Sequence, residues 1–82
     1  MLSLVDCMRM AFVLVNTVPD QMEWVLEKIL TIDGVDDAYM LYGVYDIVAV
    51  TKANTIEEIK EIILRIRSVK HTLNTITLMA IG

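Results

Sequence analysis

In residues 10–16, Met-Ala-Phe-Val-Leu-Val-Asn, apolar side chains occupy both alternating faces of what reads as a first strand. Met10, Phe12 and Leu14 lie on one face and Ala11, Val13 and Val15 on the other. Thr17-Val18-Pro19-Asp20 then starts a helix, with Pro19 suited to a first turn and Asp20 to the positive end of the dipole. Met22, Val25, Leu26 and Ile29 recur at helical spacing and form one buried stripe. Trp24 sits beside that stripe, where it covers the core edge or meets another subunit. Asp33-Gly34 closes the helix, because glycine tolerates the left-handed C-terminal conformation. Two strands follow, Val35 to Tyr42 and Tyr45 to Lys52, joined by a hairpin at Gly43-Val44. The second is again apolar on both faces, Ile47 and Ala49 against Val48 and Val50. Thr55 and Glu58 have the spacing of a capping box. The helix they open has Ile59, Ile62, Ile63 and Ile66 as its buried stripe, with Glu57, Lys60, Glu61 and Arg65 toward water. A last strand spans His71 to Ile81.

This order, β-α-β-β-α-β, predicts an α+β domain of ferredoxin-like form: a four-stranded antiparallel sheet with both helices on one face. Two helices cannot cover both faces of four strands, and a sheet face that meets water is normally polar. Packing of the bare face on that of a second copy removes the conflict and predicts a homodimer of the dimeric α+β-barrel kind. Composition adds weight to this. A chain of 82 residues makes one domain, and at this size folding buries only about 60–65% of the unfolded surface. Yet 56% of the residues are hydrophobic. No run approaches the ~20 apolar residues of a spanning helix, so other copies, rather than a membrane, receive the surplus.

The net charge is −4, and the seven basic residues are scattered. The densest group, Arg65, Arg67 and Lys70, suits a helix C-terminus, so no direct contact with nucleic acid is expected. Cys7 stands alone, which excludes an intrachain disulfide and a paired-thiol metal site and fits a reducing, cytoplasmic setting. Residues 1–9 read as a leader before a ligand-binding and oligomerisation domain at 10–82, with Met8 and Met10 as alternative starts. The leader has no basic region and carries Asp6, unlike a signal peptide.

Most of Tyr39–Val50 is what a sheet core needs. Tyr42, Gly43, Tyr45 and Asp46 exceed that need and mark the candidate site, together with Val44 in the turn. Gly43 serves a positive φ and also lets a ligand approach the backbone. Asp46 is costly among apolar neighbours unless paired, with a backbone N–H, a lysine or a ligand. Tyr42 and Tyr45 suit either an amphipathic rim or the walls of a pocket. His71, the single histidine, has no nucleophile and acid marked beside it and reads as a polar strand start. Asp36-Asp37, adjacent on a strand, point to opposite faces and share no metal. They read as a solvated turn, and the methionines as core filler. No cofactor is expected.

Three segments carry a resemblance: Ala11-Phe12-Val13-Leu14-Val15-Asn16, then Ile32-Asp33-Gly34-Val35, then Tyr42-Gly43-Val44-Tyr45-Asp46-Ile47-Val48. They are similar to the effector-binding RAM domain of the Lrp/AsnC (feast/famine) transcription regulators, over about Met10 to Ile81. The turn Arg67-Ser68-Val69-Lys70-His71-Thr72 departs from the family, lacking its usual Pro-Gly. Full-length members carry a helix-turn-helix domain before this module, so the resemblance implies a stand-alone effector-binding form without DNA reading of its own. It implies dimers through the sheets, assembly into octamers or decamers, and an amino acid bound between neighbouring dimers. In that setting Asp46 would hold the ligand's ammonium. Backbone near Gly43 and Val44, with Thr72 and Asn74, would hold its carboxylate, and Tyr42 and Tyr45 its flanks. Two further readings stand beside it: a subunit forming mixed oligomers with a full-length Lrp/AsnC paralogue, and an enzyme of the dimeric α+β-barrel type.

Overall fold

The first strand is held because every second side chain meets a helix. In the computed structural model, which describes residues 9–80, β1 runs Arg9–Thr17. A 3-10 turn, Pro19–Gln21, leads into α1, Met22–Leu30. β2 is Val35–Met40, β3 Ile47–Ala53, α2 Ile56–Arg67 and β4 Thr72–Met79. The sheet order is β2-β3-β1-β4, with every neighbouring pair antiparallel, the ferredoxin-like arrangement. Among the described residues no helix is long and apolar enough to cross a membrane.

The core lies between the sheet and the two helices. Ala11, Val13 and Val15 of β1, Ala38 of β2 and Ile47 and Ala49 of β3 are buried against Val25 and Ile29 of α1 and Ile59, Ile62 and Ile66 of α2. Met22, Leu26 and Ile63 flank this core half-buried. Thr51 is buried too, and its hydroxyl donates to the Ala11 carbonyl at 3.1 Å, which offsets its desolvation.

The other face follows from the register. Leu14 pairs with Val48 on one side and Ile76 on the other, and Val48 pairs in turn with Tyr39. Phe12 likewise pairs with Val50 and Leu78. Among the described residues this face carries no helix. On β4 the hydroxyls of Thr75 and Thr77 lie on the helix side, opposite Val15 and Val13, while Ile76 and Leu78 lie on the bare side. Ile76 and Leu78 are about half exposed.

Several element limits differ from the sequence pattern. β2 ends at Met40 and β3 begins at Ile47, so Leu41–Asp46 is a six-residue loop, closed by Leu41 N–H to the Asp46 carbonyl at 2.8 Å, and not a tight hairpin at Gly43-Val44. The α-helix starts at Met22 rather than near Asp20, because Pro19 to Gln21 form the tighter turn. Gly34 has φ 97° but lies beyond the helix, in a turn where Val35 N–H bonds Ile32 O at 3.1 Å. His71 repeats that place before β4: its φ is 75° and Thr72 N–H bonds Val69 O at 3.2 Å. A left-handed residue cannot extend a strand, so β4 begins one residue later than expected. Asp36 and Asp37 lie on β2 at a bulge rather than in a solvated turn, with Asp36 3.5 Å from Lys52. Thr55 caps α2 through Glu58 N–H at 3.1 Å, but Glu58 returns its bond to Asn54 N–H at 3.0 Å, not to the cap itself. Strand β1 takes in Arg9 from the expected leader; residues 1–8, with Cys7, and Ile81 lie outside the described residues.

Candidate functional site

The Leu41–Asp46 loop forms one wall of a cleft of about 580 Å³, lined by Met22, Met40, Leu41, Tyr42, Gly43 and Asp46. Gly43 has φ 130°, a conformation only glycine adopts easily, and a Cβ there would point into open space. The residue therefore serves backbone shape and access rather than close packing. Tyr42 is fully exposed and Val44 largely so. Val44 and the half-buried Tyr45 stand outside the cleft lining. Among the described residues no chain carbonyl accepts from the four successive backbone N–H groups of residues 42–45.

Asp46 is the one charged side chain in this lining. Its backbone extends the pairing of β3 with β1, donating N–H to the Val15 carbonyl at 3.0 Å. Its side chain then takes over the ladder: Oδ2 accepts the Thr17 N–H at 2.9 Å, where β1 and β4 lose register between Asn16 and Thr17. Of the partners open to Asp46 from sequence, a backbone N–H is thus present on one oxygen. Oδ1 has no protein donor among the described residues. Half of the carboxylate is structural, and half is free to meet a cation.

Thr72 and Asn74 lie on the other side of β1, paired with Thr17 and Asn16. They share a smaller pocket, about 290 Å³, with Arg67, Leu73 and Thr75. Thr72 Oγ1 is buried with no hydrogen-bond partner among the described residues, and Asn16 Nδ2 donates to Asn74 Oδ1 at 3.1 Å. Within one chain the seven candidate residues therefore separate: Tyr42, Gly43 and Asp46 around the cleft, Thr72 and Asn74 around the polar pocket, Val44 and Tyr45 between neither. Met22, Met40 and Leu41 enter the cleft without a sequence signal beyond apolarity. Arg67, which reads as a helix C-terminal cation, is the one positive side chain of the second pocket.

His71 is held in its turn, its carbonyl accepting Val18 N–H at 3.0 Å. Its ring meets Trp24 edge-on, centroids 5.3 Å apart, and Lys28 Nζ lies 5.2 Å from the Trp24 ring centre. Trp24 thus covers His71 at the surface. Among the described residues no three His, Cys, Asp or Glu side chains gather as for a metal ion.

Against known proteins, the model of the Lrp/AsnC ligand binding domain matches residues 10–82. The chain is similar to a solved Thermus thermophilus protein at 28% identity and TM-score 0.85, covering 90% of this chain and 94% of that one. A hypothetical protein from Pyrococcus horikoshii shares 31% identity, with TM-score 0.83 and 90% of each chain covered. A feast or famine regulatory protein from M. tuberculosis, complexed with L-methionine, shares the fold at 18% identity and TM-score 0.79, over 98% of this chain and 54% of that one. No curated protein matches the sequence.

Proposed function

The chain belongs to the Lrp/AsnC ligand binding domain family, and on that premise we propose that it is a non-catalytic cytoplasmic module that binds a free amino acid and assembles with copies of itself to influence transcription. Asp46 carries the binding half of this reading. One oxygen is committed to Thr17 N–H, the other has no donor among the described residues, and Asp46 lines a cleft with no other charged residue in its lining. An ammonium group placed there gains a charge-assisted hydrogen bond. The uncommitted N–H groups of Tyr42 and Gly43, both in the lining, supply donors for a carboxylate beside it. The L-methionine complex of the M. tuberculosis protein supports the ligand class.

Thr72 and Asn74 join the same ligand if a second copy brings its polar pocket, with Arg67, against this loop. Tyr42, exposed at the loop tip, and Val44 and Tyr45 beside it then become the contact between copies. The placement of β4 supports assembly: its apolar alternation is spent on the bare sheet face, where Ile76 and Leu78 continue the rows of Leu14 and Phe12. A strand selected for a lone domain would turn those residues toward the helices. A homodimer through this face, built up into an octamer or decamer, is the assembly we propose.

Calorimetric titration with the standard amino acids tests the binding half, on the wild type and Asp46→Asn. Asparagine keeps an acceptor for Thr17 N–H but removes the charge. A hydrogen bond to a charged group contributes about 1.5–3 kcal/mol, so Asp46→Asn should weaken binding by roughly 10- to 150-fold. Asp46→Ala should in addition lower stability by about 1–3 kcal/mol, because a part-buried N–H loses its partner. Silence with every amino acid, or equal affinity in Asp46→Asn, would rule the reading out.

A further inference from the structure

Beyond Asp46, the cleft is lined by Met22 at the start of α1, Met40 at the end of β2, Leu41, Tyr42 and Gly43. None of these side chains carries charge, and Met22 is anchored by packing on the core. At about 580 Å³ the cleft has room for a ligand side chain as well as its ammonium and carboxylate. We infer that the cleft selects amino acids with a flexible, unbranched apolar side chain, laid against Met22, Met40 and Leu41 while the ammonium meets the free oxygen of Asp46. The inference rests on the reading of this cleft as the effector site, and adds the class of effector.

Each other class meets a specific cost. An acidic side chain on this wall brings a second negative charge near Asp46 and meets no cation among Met22, Met40 and Leu41, since Arg67 of a second copy would stand with Thr72 and Asn74 at the carboxylate end. A basic side chain buries its cation among thioethers and an isobutyl group without a partner. Amides and hydroxyls lose water against Met22, Met40 and Leu41 and recover no hydrogen bond from those three side chains. Methionine side chains, with several rotatable bonds, adjust to a linear chain more readily than branched residues would. The two methionines therefore favour length over a fixed shape.

The test is a homologous ligand series on the wild-type protein: alanine, 2-aminobutyrate, norvaline and norleucine, with glutamate, asparagine and lysine for comparison. Affinity should rise by roughly fourfold for each added methylene, and so by about 60-fold from alanine to norleucine. Glutamate, asparagine and lysine should bind no more tightly than alanine. Met22→Gln should lower norleucine affinity by roughly tenfold and leave alanine within about twofold, which flattens the series at its apolar end. A flat series in the wild type, or tighter binding of glutamate, asparagine or lysine, overturns this inference and leaves the effector reading in place. Silence with every ligand overturns both. The wild-type series decides the matter without any variant, so a misfolded Met22→Gln would not blunt it.

Discussion

Tyr39 and Asp37 stand two residues apart on the bare face of β2, and the phenol donates to the carboxylate at 2.5 Å. That bond, then the bond from Ala38 N–H, holds the Asp37 carboxyl below its ordinary range. The same bond, then the negative charges of Asp37 and Asp36, raises the Tyr39 phenol above its own. The signs set a pH window. A depressed carboxyl contributes stability above its unfolded value of about 4 and loses it as pH falls through the lower folded value. A raised phenol contributes below its unfolded value of about 10 and loses it as pH rises through the higher folded value. Both groups are open to solvent, so the effect on stability is small and spectroscopy is the better readout. A spectrophotometric titration should find one of the three tyrosines ionising late, and Asp37→Asn should abolish that late phase. If the variant titrates like the wild type, the assignment of the bond is wrong. At this scale Asp46 was legible as a carboxylate needing a partner, since an apolar strand start cannot hold one unpaired. That its partner is Thr17 N–H was not legible: 29 residues separate them, and only the loss of register beside β1 frees that N–H.

The two βαβ halves end their helices in the same way, with a turn that places one left-handed residue before the next strand. The first half uses Gly34, where a Cβ would collide with Ile62. The second uses His71, a residue that visits this conformation more readily than most, though less readily than glycine. Without Pro-Gly the second half still makes the turn that the first half makes, with the conformational cost on His71. Two variants separate strain from the lost contact with Trp24, because both remove the imidazole. His71→Asn should unfold close to wild type, whereas His71→Val should be less stable than His71→Asn by about 1–2 kcal/mol, since a β-branched residue resists positive φ. Thermal or urea unfolding measures the difference, and equal stability of the two would remove the strain argument. The helix stripes and the Thr55 cap were readable because helical period and capping chemistry are local. The hairpin was not, because Gly43 marks a turn without fixing its length.

At the scale of the whole molecule the question is what covers the sheet. The row Tyr39–Val48–Leu14–Ile76 crosses all four strands, and among the described residues no helix lies above it. A stable contact between copies buries about 800 Å² on each, and facing sheets pack roughly 10 Å apart, which this face of aliphatic and aromatic residues suits. Analytical ultracentrifugation should find the wild type as a dimer or larger. Leu14→Glu, at the centre of the row, should shift it to the mass of a single chain while far-UV circular dichroism stays unchanged. A wild-type chain that sediments alone at micromolar concentration would end the proposal of a sheet-to-sheet dimer.

The order of elements, the ferredoxin-like class and the excess of apolar strand surface were determined by the sequence alone. Each depends on periodicity and short-range chemistry that neighbouring residues already contain. Tertiary structure decided which apolar face of β1 and β3 the helices cover, where the Leu41–Asp46 loop ends, and which residues wall the cleft beside Asp46. Those outcomes depend on strand register and on contacts between residues far apart in the chain. Two equally apolar faces give periodicity nothing to choose between, so only the packed helices could choose.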